Sequence, residues 1–443
     1  MQDATDESNW SLLVFVSTVA SACAALGIRR SHRVNGRVDL FHPLVFPLVY
    51  VSVSFFLPFW VTYALERPVG SLARPYSVAD WTPLLLVLGV VAFAAGAALP
   101  FRHKVDSKSH LGDAQDRVSR NLIAIGRLIG LVALGLAALA LIRGGVEVRG
   151  TGQGEYSTLD SLSVATKMAP LTAAVLIVVG HASGPSRAVA AKIDVLLLGS
   201  IVVATGLRGT RSAAIAVILV MVMAMINHGK AIRSTVFGIG GAALFMVAVL
   251  RYRNEVQGVS TEASFWEILL GDMAPVGFTT GTIAEFVPST FPFASGSTIL
   301  AALFRQLPSP IAVRLFGPPD DTGAQVFRQM IGLTNPNQGV GFSLPADGYL
   351  NFGILGVMGT CFVIGSMLSW SYARYDLSST RATGALYLIL VAMLPFALRS
   401  DYLGSIKSVL YPFMILWVAI ILARVALPTR AKGSQPRGPG NVR

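Results

Sequence analysis

Long apolar runs separated by short polar segments constrain this chain more than any other feature. A helix needs about 20 mostly apolar residues to cross the hydrocarbon core of a bilayer. Eleven runs meet or approach that length, and the sixth, seventh and tenth are short. They lie at 10–28, 42–64, 81–100, 121–142, 164–182, 193–207, 212–227, 234–250, 353–373, 383–398 and 405–427. We therefore predict an all-α polytopic integral membrane protein with about 11 transmembrane helices.

The charge content agrees with a surface that faces lipid. Only 13% of the residues are charged, whereas soluble domains usually carry about 25%. The formal net charge of +12 could indicate binding to nucleic acid, but the basic residues occupy short loops between apolar runs and form no basic domain. Lys and Arg at cytoplasmic helix ends explain the excess, so we expect no nucleic-acid partner.

The distribution of Lys and Arg also predicts the orientation of the chain. If the N-terminus lies outside, about 20 of these residues fall on the cytoplasmic side and about 14 outside, as the positive-inside rule requires. We therefore expect the N-terminus outside and the C-terminus in the cytoplasm. The N-terminal sequence MQDATDESNW lacks the basic start of a secretory signal peptide, so the first run is expected to be a retained helix.

The runs divide the chain into four parts. Residues 1–250 hold predicted transmembrane helices 1–8, and residues 353–427 hold helices 9–11. Between them, residues 251–352 form a large external loop, whose apolar stretches predict short helices at the outer membrane surface or folded back over the bundle. Residues 428–443 are basic and rich in Pro and Gly, which predicts a disordered cytoplasmic tail.

Metal and redox chemistry receive no support from the sequence. Cys23 and Cys361 lie inside apolar runs, and no C-x-x-C, H-E-x-x-H or P-loop pattern occurs. All six histidines fall at or near the cytoplasmic side in the predicted topology. We therefore expect no metal site and no cofactor. Chemistry at the outer face must then use carboxylates, arginines, tyrosines and amides.

Three groups of arginines are predicted at outer helix ends, against the usual charge bias. They are Arg208 and Arg211 in the tight hairpin of residues 206–212, Arg251 and Arg253 after the eighth run, and Arg399 after the tenth. A planar guanidinium suits phosphate oxygens, so such a cluster would fit the diphosphate of a lipid-linked substrate. The alternatives are that the arginines snorkel to lipid headgroups, and that Arg399 pairs locally with Asp401.

The segment DGYLNFG, residues 347–353, leads into the ninth run. Asp347 could act as a general base or could orient a sugar hydroxyl. The structural alternative is that Asp347 or Asn351 only caps the N-terminus of a helix. The residues by themselves leave both interpretations open.

These motifs together resemble those of the oligosaccharide repeat-unit polymerases, the Wzy-type O-antigen and capsule polymerases. Four features occur in that family's order, namely LRGTRS at 207–212, ASGSTILAALFRQLPSP at 294–310, DGYLNFG at 347–353 and the Arg-Ser-Asp turn at 399–401. The resemblance spans roughly residues 200–410. The chain departs from the family's pattern in having Asp347 where Glu is more frequent, and Ser309 where Arg is frequent.

The resemblance implies a fold and a reaction. The fold would be similar to that of GT-C glycosyltransferases. The growing glycan would leave undecaprenyl diphosphate and join a hydroxyl of the next lipid-linked repeat unit, at the outer face of the bacterial cytoplasmic membrane. Expected partners are these lipid-linked oligosaccharides, membrane lipid, a flippase and a chain-length regulator. Asp347, Arg208 and Arg211 would be catalytic, and the residues that bind substrate would be Arg251, Arg253, Arg305, Tyr349, Asn351, Arg399 and Asp401.

Two rival functions are weighed against a polymerase. An O-antigen ligase belongs to the same reaction class but is expected to use a histidine on the outer face, where this topology has none. A transporter or flippase of lipid-linked glycans would need charged residues along a path inside the bundle. Arg127 is the only clear charge in the middle of a predicted helix.

Overall fold

The structure is a computed structural model of the chain. It describes residues 23, 25–29, 40–64, 79–100, 112–144, 161–183, 188–207, 211–227, 240–241, 244, 248, 251, 275–307, 313–315, 321–333, 341–375 and 382–425. Statements about the fold below concern these residues.

Twelve helices account for most of the described residues, and no strand occurs among them. In chain order they are α1 (Phe46–Ala64), α2 (Thr82–Ala97), α3 (Gly112–Gly144), α4 (Ser161–Ser183), α5 (Ala188–Leu207), α6 (Arg211–Asn227), α7 (Pro275–Phe286), α8 (Ser297–Phe304), α9 (Gly323–Met330), α10 (Leu344–Tyr372), α11 (Ala382–Ala397) and α12 (Tyr402–Val425). Helices α1–α6 and α10–α12 coincide with nine of the eleven predicted runs. The all-α fold class is therefore confirmed.

The described helices have the length and apolarity expected of a membrane protein. Three stretches could cross a membrane by length and composition, and they are Asp116–Leu139, Leu344–Tyr372 and Tyr402–Val425. Five shorter apolar helices accompany them, at Phe46–Phe56, Thr82–Ala97, Met168–Ala182, Ser212–Met225 and Gly384–Ala397. The count of about 11 crossings, the outside N-terminus and the four-part division of the chain stay predictions.

Helices α2 and α10 approach each other closely because glycines lie at their crossing. A Cβ atom on Gly96 would collide with the carbonyl oxygen of Phe362, and one on Gly365 would collide with the carbonyl oxygen of Phe93. Small residues at such crossings let two backbones pack directly in a membrane, where helices associate largely by close packing. This contact fixes α10 against the first half of the bundle.

A buried ionic cluster joins α3, α4 and α5. Asp194 accepts hydrogen bonds from Arg127 at 2.6 and 3.0 Å, and its carboxylate lies 2.6 Å from Nε2 of His181. The carboxyl group of Asp194 is almost completely buried, with an exposed fraction of 3%. The arginine singled out in the sequence thus has a partner on a neighbouring helix, and the pair explains how both charges are accommodated.

Three short helices lie in the segment between residues 251 and 352. Helix α7 packs against α1, α2 and α10, α8 packs against α10 and α12, and α9 packs against α10. Val276 and Ile283 of α7 are fully buried in the main hydrophobic core. The described part of this segment therefore packs onto the bundle, and its place at the outer side of the membrane stays a prediction.

Helix α10 begins earlier than the ninth apolar run. Ser343 caps its N-terminus by accepting a hydrogen bond from the backbone N–H of Ala346, and Pro345 occupies the first turn. The helix is interrupted at Phe352 and Gly353, where Gly353 has φ +60°. A glycine tolerates this conformation because it has no Cβ atom. Residues 344–351 thus form a separate helical segment before the apolar part.

Candidate functional site

Asp347 is the centre of a buried polar cluster at the start of α10. Its side chain is completely buried. Oδ1 accepts hydrogen bonds from the hydroxyl of Thr298 at 2.6 Å and from Nδ2 of Asn351 at 3.2 Å. Oδ2 accepts a hydrogen bond from the backbone N–H of Tyr402 at 2.9 Å. One carboxylate therefore links α8, α10 and α12, and three hydrogen bonds offset part of the cost of its burial.

The first residue of α9 lies directly against this carboxylate. A Cβ atom on Gly323 would collide with Oδ1 of Asp347 and would lie 2.7 Å from Oδ2. Thr322, which is buried, and Gln325 form a capping box that fixes the start of α9. The glycine leaves the space that the Asp347 carboxylate occupies, so α9 closes one side of the cluster.

Asn351 connects the cluster to the turn before α8. Its Oδ1 accepts a hydrogen bond of 2.9 Å from the backbone N–H of Gly296, which has φ +93°. Its Nδ2 donates to Thr298 Oγ1 at 2.6 Å and to the carbonyl oxygen of Asp347 at 2.7 Å. The cap of α10 is Ser343, so the alternative in which Asp347 or Asn351 caps this helix does not describe the structure.

Tyr349 lies in an aromatic group beside the cluster. Its ring centroid is 5.5 Å from that of Trp81 and 6.2 Å from that of Phe293, and its hydroxyl donates to the carbonyl oxygen of Val287 at 3.4 Å. Tyr349 itself is buried, whereas Phe293 is exposed. In this conformation Tyr349 supports the rings around it, and a sugar would reach Phe293 and Trp81 before it reached Tyr349.

The turn between α11 and α12 contains Arg399 and Asp401. Asp401 Oδ1 accepts a hydrogen bond of 2.8 Å from the backbone N–H of Gly404, so Asp401 caps α12. Both side chains are partly buried, in contrast to the complete burial of Asp347. The turn therefore presents an arginine and a carboxylate that a substrate could approach more readily than Asp347.

Arg305 lies at the C-terminal end of α8, close to α12. It is the C-cap residue of α8 and is partly buried. The next residue, Gln306, accepts a hydrogen bond of 3.3 Å through its carbonyl oxygen from the hydroxyl of Tyr411 on α12. Lys407 of α12 lies within electrostatic range of both Arg305 and Asp401. A second polar group thus joins the end of α8 to the first turns of α12.

The arginine hairpin is described only in part. Arg208 and Arg253 lie outside the described residues, Arg211 is the first residue of α6, and Arg251 is exposed and helical. The structure therefore brings together Asp347 and Asn351, with Tyr349 beside them. Arg305 and Asp401 each lie within electrostatic range of Lys407, and the proximity of the hairpin to either group is not covered by the described residues.

Three contributors to these groups were not identified from the sequence. Thr298 lies within the quoted motif of residues 294–310, and a threonine in the otherwise apolar stretch TILAALF was the available signal. For Lys407 the available signal was its own charge, which interrupts the last apolar run. The backbone N–H of Tyr402 gave no signal, because a backbone donor has no side-chain signature. Among the described residues, no group of three or more His, Cys, Asp or Glu could hold a metal ion.

Comparison with known protein families places these motifs in a single family. The family model described as O-antigen polysaccharide polymerase Wzy matches residues 43–432. The chain belongs to this family. The match to the Wzy family covers the hairpin, the segment of α7–α9, the Asp347 cluster and the turn between α11 and α12. No curated protein and no solved structure matches the chain significantly.

Membership of the Wzy family defines the general function. The chain is an O-antigen repeat-unit polymerase of the membrane that acts on lipid-linked oligosaccharide repeat units. The resemblance drawn from the four motifs is thereby confirmed. The family also favours polymerisation over the ligase and flippase alternatives.

Proposed function

We propose that the chain joins undecaprenyl-diphosphate-linked repeat units into a surface polysaccharide by glycosyl transfer at the outer face of the bacterial cytoplasmic membrane. The observation that carries this proposal is the Asp347 cluster. There the family's motif of residues 347–353 forms a buried polar centre bonded to α8 and α12. Burying an ionisable group in an apolar bundle costs free energy, so such a group usually has a structural or chemical role.

The proposed reaction exchanges one bond at the anomeric carbon for another. The bond between C1 of the growing glycan and the diphosphate oxygen breaks, and a bond forms between C1 and a hydroxyl oxygen of the next repeat unit. The electron pair of the broken bond leaves with the diphosphate, where negative charge develops. Arg208 and Arg211 stabilise that charge in the transition state, because preorganised cations act most strongly where charge develops. Arg251, Arg253 and Arg399 bind the diphosphate.

The proton of the acceptor hydroxyl passes to a carboxylate, for which we propose Asp347. The hydroxyl of Thr298 lies 2.6 Å from Oδ1 of Asp347. A general base must come equally close to the substrate hydroxyl that it deprotonates. For an acceptor hydroxyl to take this position, the buried Thr298 side chain must first rotate away from Oδ1. Asn351 then orients the carboxylate from within α10, and Tyr349 supports the aromatic rings that would contact the sugar.

Reconstitution of the purified chain tests this function. Lipid-linked repeat units are extracted from cells that lack the gene and mixed with the protein in vesicles. Conversion of the single-repeat lipid into a ladder of longer glycans on the same lipid is the expected result. Transfer to lipid A core with no ladder would indicate a ligase, and movement of the unchanged lipid across the vesicle membrane with no ladder would indicate a flippase. Either result would contradict the proposal.

A further inference from the structure

Helix α10 bends sharply between Asp347 and the long apolar part of the helix. The bend lies at Phe352 and Gly353, whose backbone angles are not helical. Across it, a Cβ atom on Gly356 would overlap the carbonyl oxygen of Gly348. Residues eight apart in a straight helix are separated by about 12 Å along its axis, so the two segments of α10 must fold against each other. The segment that carries Asp347 therefore packs on its own continuation.

Thr360 lies one turn beyond this contact, and its side chain is buried. Its hydroxyl also lies close to Gly348, because a Cβ atom on Gly348 would be 2.8 Å from Oγ1 of Thr360. The same oxygen forms a hydrogen bond of 2.5 Å with the phenol hydroxyl of Tyr402, the first residue of α12. Thr360 thus binds the side chain of Tyr402 directly behind the segment that carries Asp347.

Tyr402 makes a second hydrogen bond, through its backbone. Its N–H belongs to the first turn of α12, where amide groups have no partner within the helix, and it donates to Oδ2 of Asp347 at 2.9 Å. The positive end of the α12 dipole lies at the same place and favours a negative charge there. One residue therefore joins both segments of α10, through its phenol at Thr360 and through its amide at Asp347.

The two oxygens of the Asp347 carboxylate differ as a result. Oδ2 is held by a backbone amide, which cannot leave it unless the start of α12 moves. Oδ1 is held by the side chains of Thr298 and Asn351, and a side chain can turn to another rotamer. An acceptor hydroxyl can therefore reach Oδ1 more readily than Oδ2, as long as the amide of Tyr402 stays in place.

We propose that Tyr402 is a positioning residue for the polymerase reaction. Its phenol, anchored by Thr360, keeps its amide on Oδ2 of Asp347 and so directs Oδ1 toward the acceptor hydroxyl. The inference rests on the proposed function, in which Asp347 is the base. The O–H bond of the acceptor breaks, its proton passes to Oδ1, and the electron pair left on oxygen forms the bond to C1. Without the anchor the amide shifts and the carboxylate turns, so proton transfer slows while the substrates still bind.

The rate of polymer formation by the full chain in vesicles tests this role. Tyr402→Phe removes the hydroxyl but keeps the ring and the backbone amide. It should lower kcat about three- to tenfold, as loss of one hydrogen bond typically does, and should leave KM within about twofold of wild type. Thr360→Val should have the same effect, whereas Thr360→Ser keeps a hydroxyl and should match wild type. The double variant should be no slower than either single variant, because both changes remove one bond.

The solvent isotope effect on kcat distinguishes positioning from a loss of folded protein. A smaller fraction of active protein lowers the rates in H2O and D2O by the same factor. A misaligned base slows the proton transfer itself, so Tyr402→Phe should raise the ratio of the two rates above that of wild type. Tyr411→Phe is the matched control, because it removes a phenol hydroxyl of the same helix that donates to the carbonyl oxygen of Gln306. Its kcat and its isotope effect should both equal those of wild type.

Two results would overturn the inference. One is a wild-type kcat in both Tyr402→Phe and Thr360→Val. The other is a lower kcat with an unchanged isotope effect, which would give the bond a role in packing alone. If Tyr402→Phe fails to fold, Thr360→Val decides the matter, because it leaves α12 unaltered. A normal ladder from Asp347→Asn would refute the proposed base itself. Loss of the ladder in Asp347→Asn, with a wild-type kcat in the other two variants, would refute this inference alone.

Discussion

The carboxylate of Asp347 accepts a hydrogen bond of 2.9 Å from the backbone N–H of Tyr402, 55 positions later in the chain. The first turn of α10 is thereby joined to the first residue of the last helix. The same carboxylate holds the hydroxyl of Thr298 on α8. Because a buried charge that loses a donor retains its full desolvation cost, this one side chain affects both the packing and the proposed chemistry.

The first prediction separates these two roles of Asp347. Asp347→Asn keeps the shape of the side chain and an oxygen that can accept from Tyr402, but it cannot take a proton. If Asp347 is the base, the variant should reach the membrane and lose polymer formation about 100-fold or more, as general-base removal typically does. The measurement is glycan length on a gel, with membrane levels of each variant matched.

Glu285→Gln is the matched control, because it neutralises an exposed carboxylate on α7. It should make polymer at the wild-type rate. A normal ladder from Asp347→Asn would exclude a base at this position. If instead both Asp347→Asn and Thr298→Val disappear from the membrane, the cluster serves folding.

The arrangement of helices along the chain was predictable, because each spanning segment must be apolar over its own length. Nine helices follow the predicted runs for this reason. The start of α10 was missed, since residues 344–352 mix polar and small residues and form no apolar run. Ser343 followed by Pro345 was the local signal for that start.

The contacts of the site could not be predicted in the same way. A helix that is apolar on all sides gives no periodic pattern that distinguishes its lipid face from its protein face. The packing of α8 against α12, and hence the contact of Gln306 with Tyr411, therefore has no signature in the sequence. The resemblance to the polymerase family grouped Asp347, Tyr349 and Asn351 by motif, but it gave no partner for any of them.

The second prediction concerns the ionic cluster of Asp194. Asp194→Ala removes the carboxylate that Arg127 and His181 contact where α3, α4 and α5 meet. Breaking a buried pair by removal of one partner costs about 3–5 kcal/mol. The lower end applies here, since the Arg127 side chain is 34% exposed. The thermal unfolding temperature in detergent should fall clearly. Arg120→Gln, at an exposed position of α3, should leave it nearly unchanged, and equal shifts in both variants would contradict this assignment.

The third prediction compares two glycines of α10. Gly365→Ala places a Cβ atom against the backbone of α2, so the helices must separate at a cost of about 1–3 kcal/mol. Gly359 has open space around it, and Gly359→Ala should be neutral or slightly stabilising, because alanine favours a helix more than glycine does. Unfolding temperatures in detergent measure both. A Gly365→Ala protein as stable as Gly359→Ala would show that the two helices do not cross this closely.

The last prediction is that Arg208, Arg211 and Arg253 bind the diphosphate of the lipid carrier. The motivation is the sequence, which predicts all three arginines at outer helix ends, against the positive-inside bias. A hydrogen bond between charged groups contributes about 1.5–3 kcal/mol. Loss of one that strengthens in the transition state should therefore slow polymerisation by roughly 10- to 150-fold. Each alanine variant should accumulate single-repeat product on a gel, in cells that lack the native gene and with membrane levels matched.

Two comparisons make this result specific. Arg211→Lys keeps the charge but loses the bidentate fork, so it should be partly active. Arg74→Ala removes an arginine from a different predicted outer loop and should be near wild type. Because snorkelling requires only a positive charge at the interface, an anchoring role would let Arg211→Lys act like wild type. Full-length polymer at a normal rate from both Arg208→Ala and Arg211→Ala would show that the hairpin only anchors the helices, and that the charge of the leaving diphosphate is stabilised elsewhere.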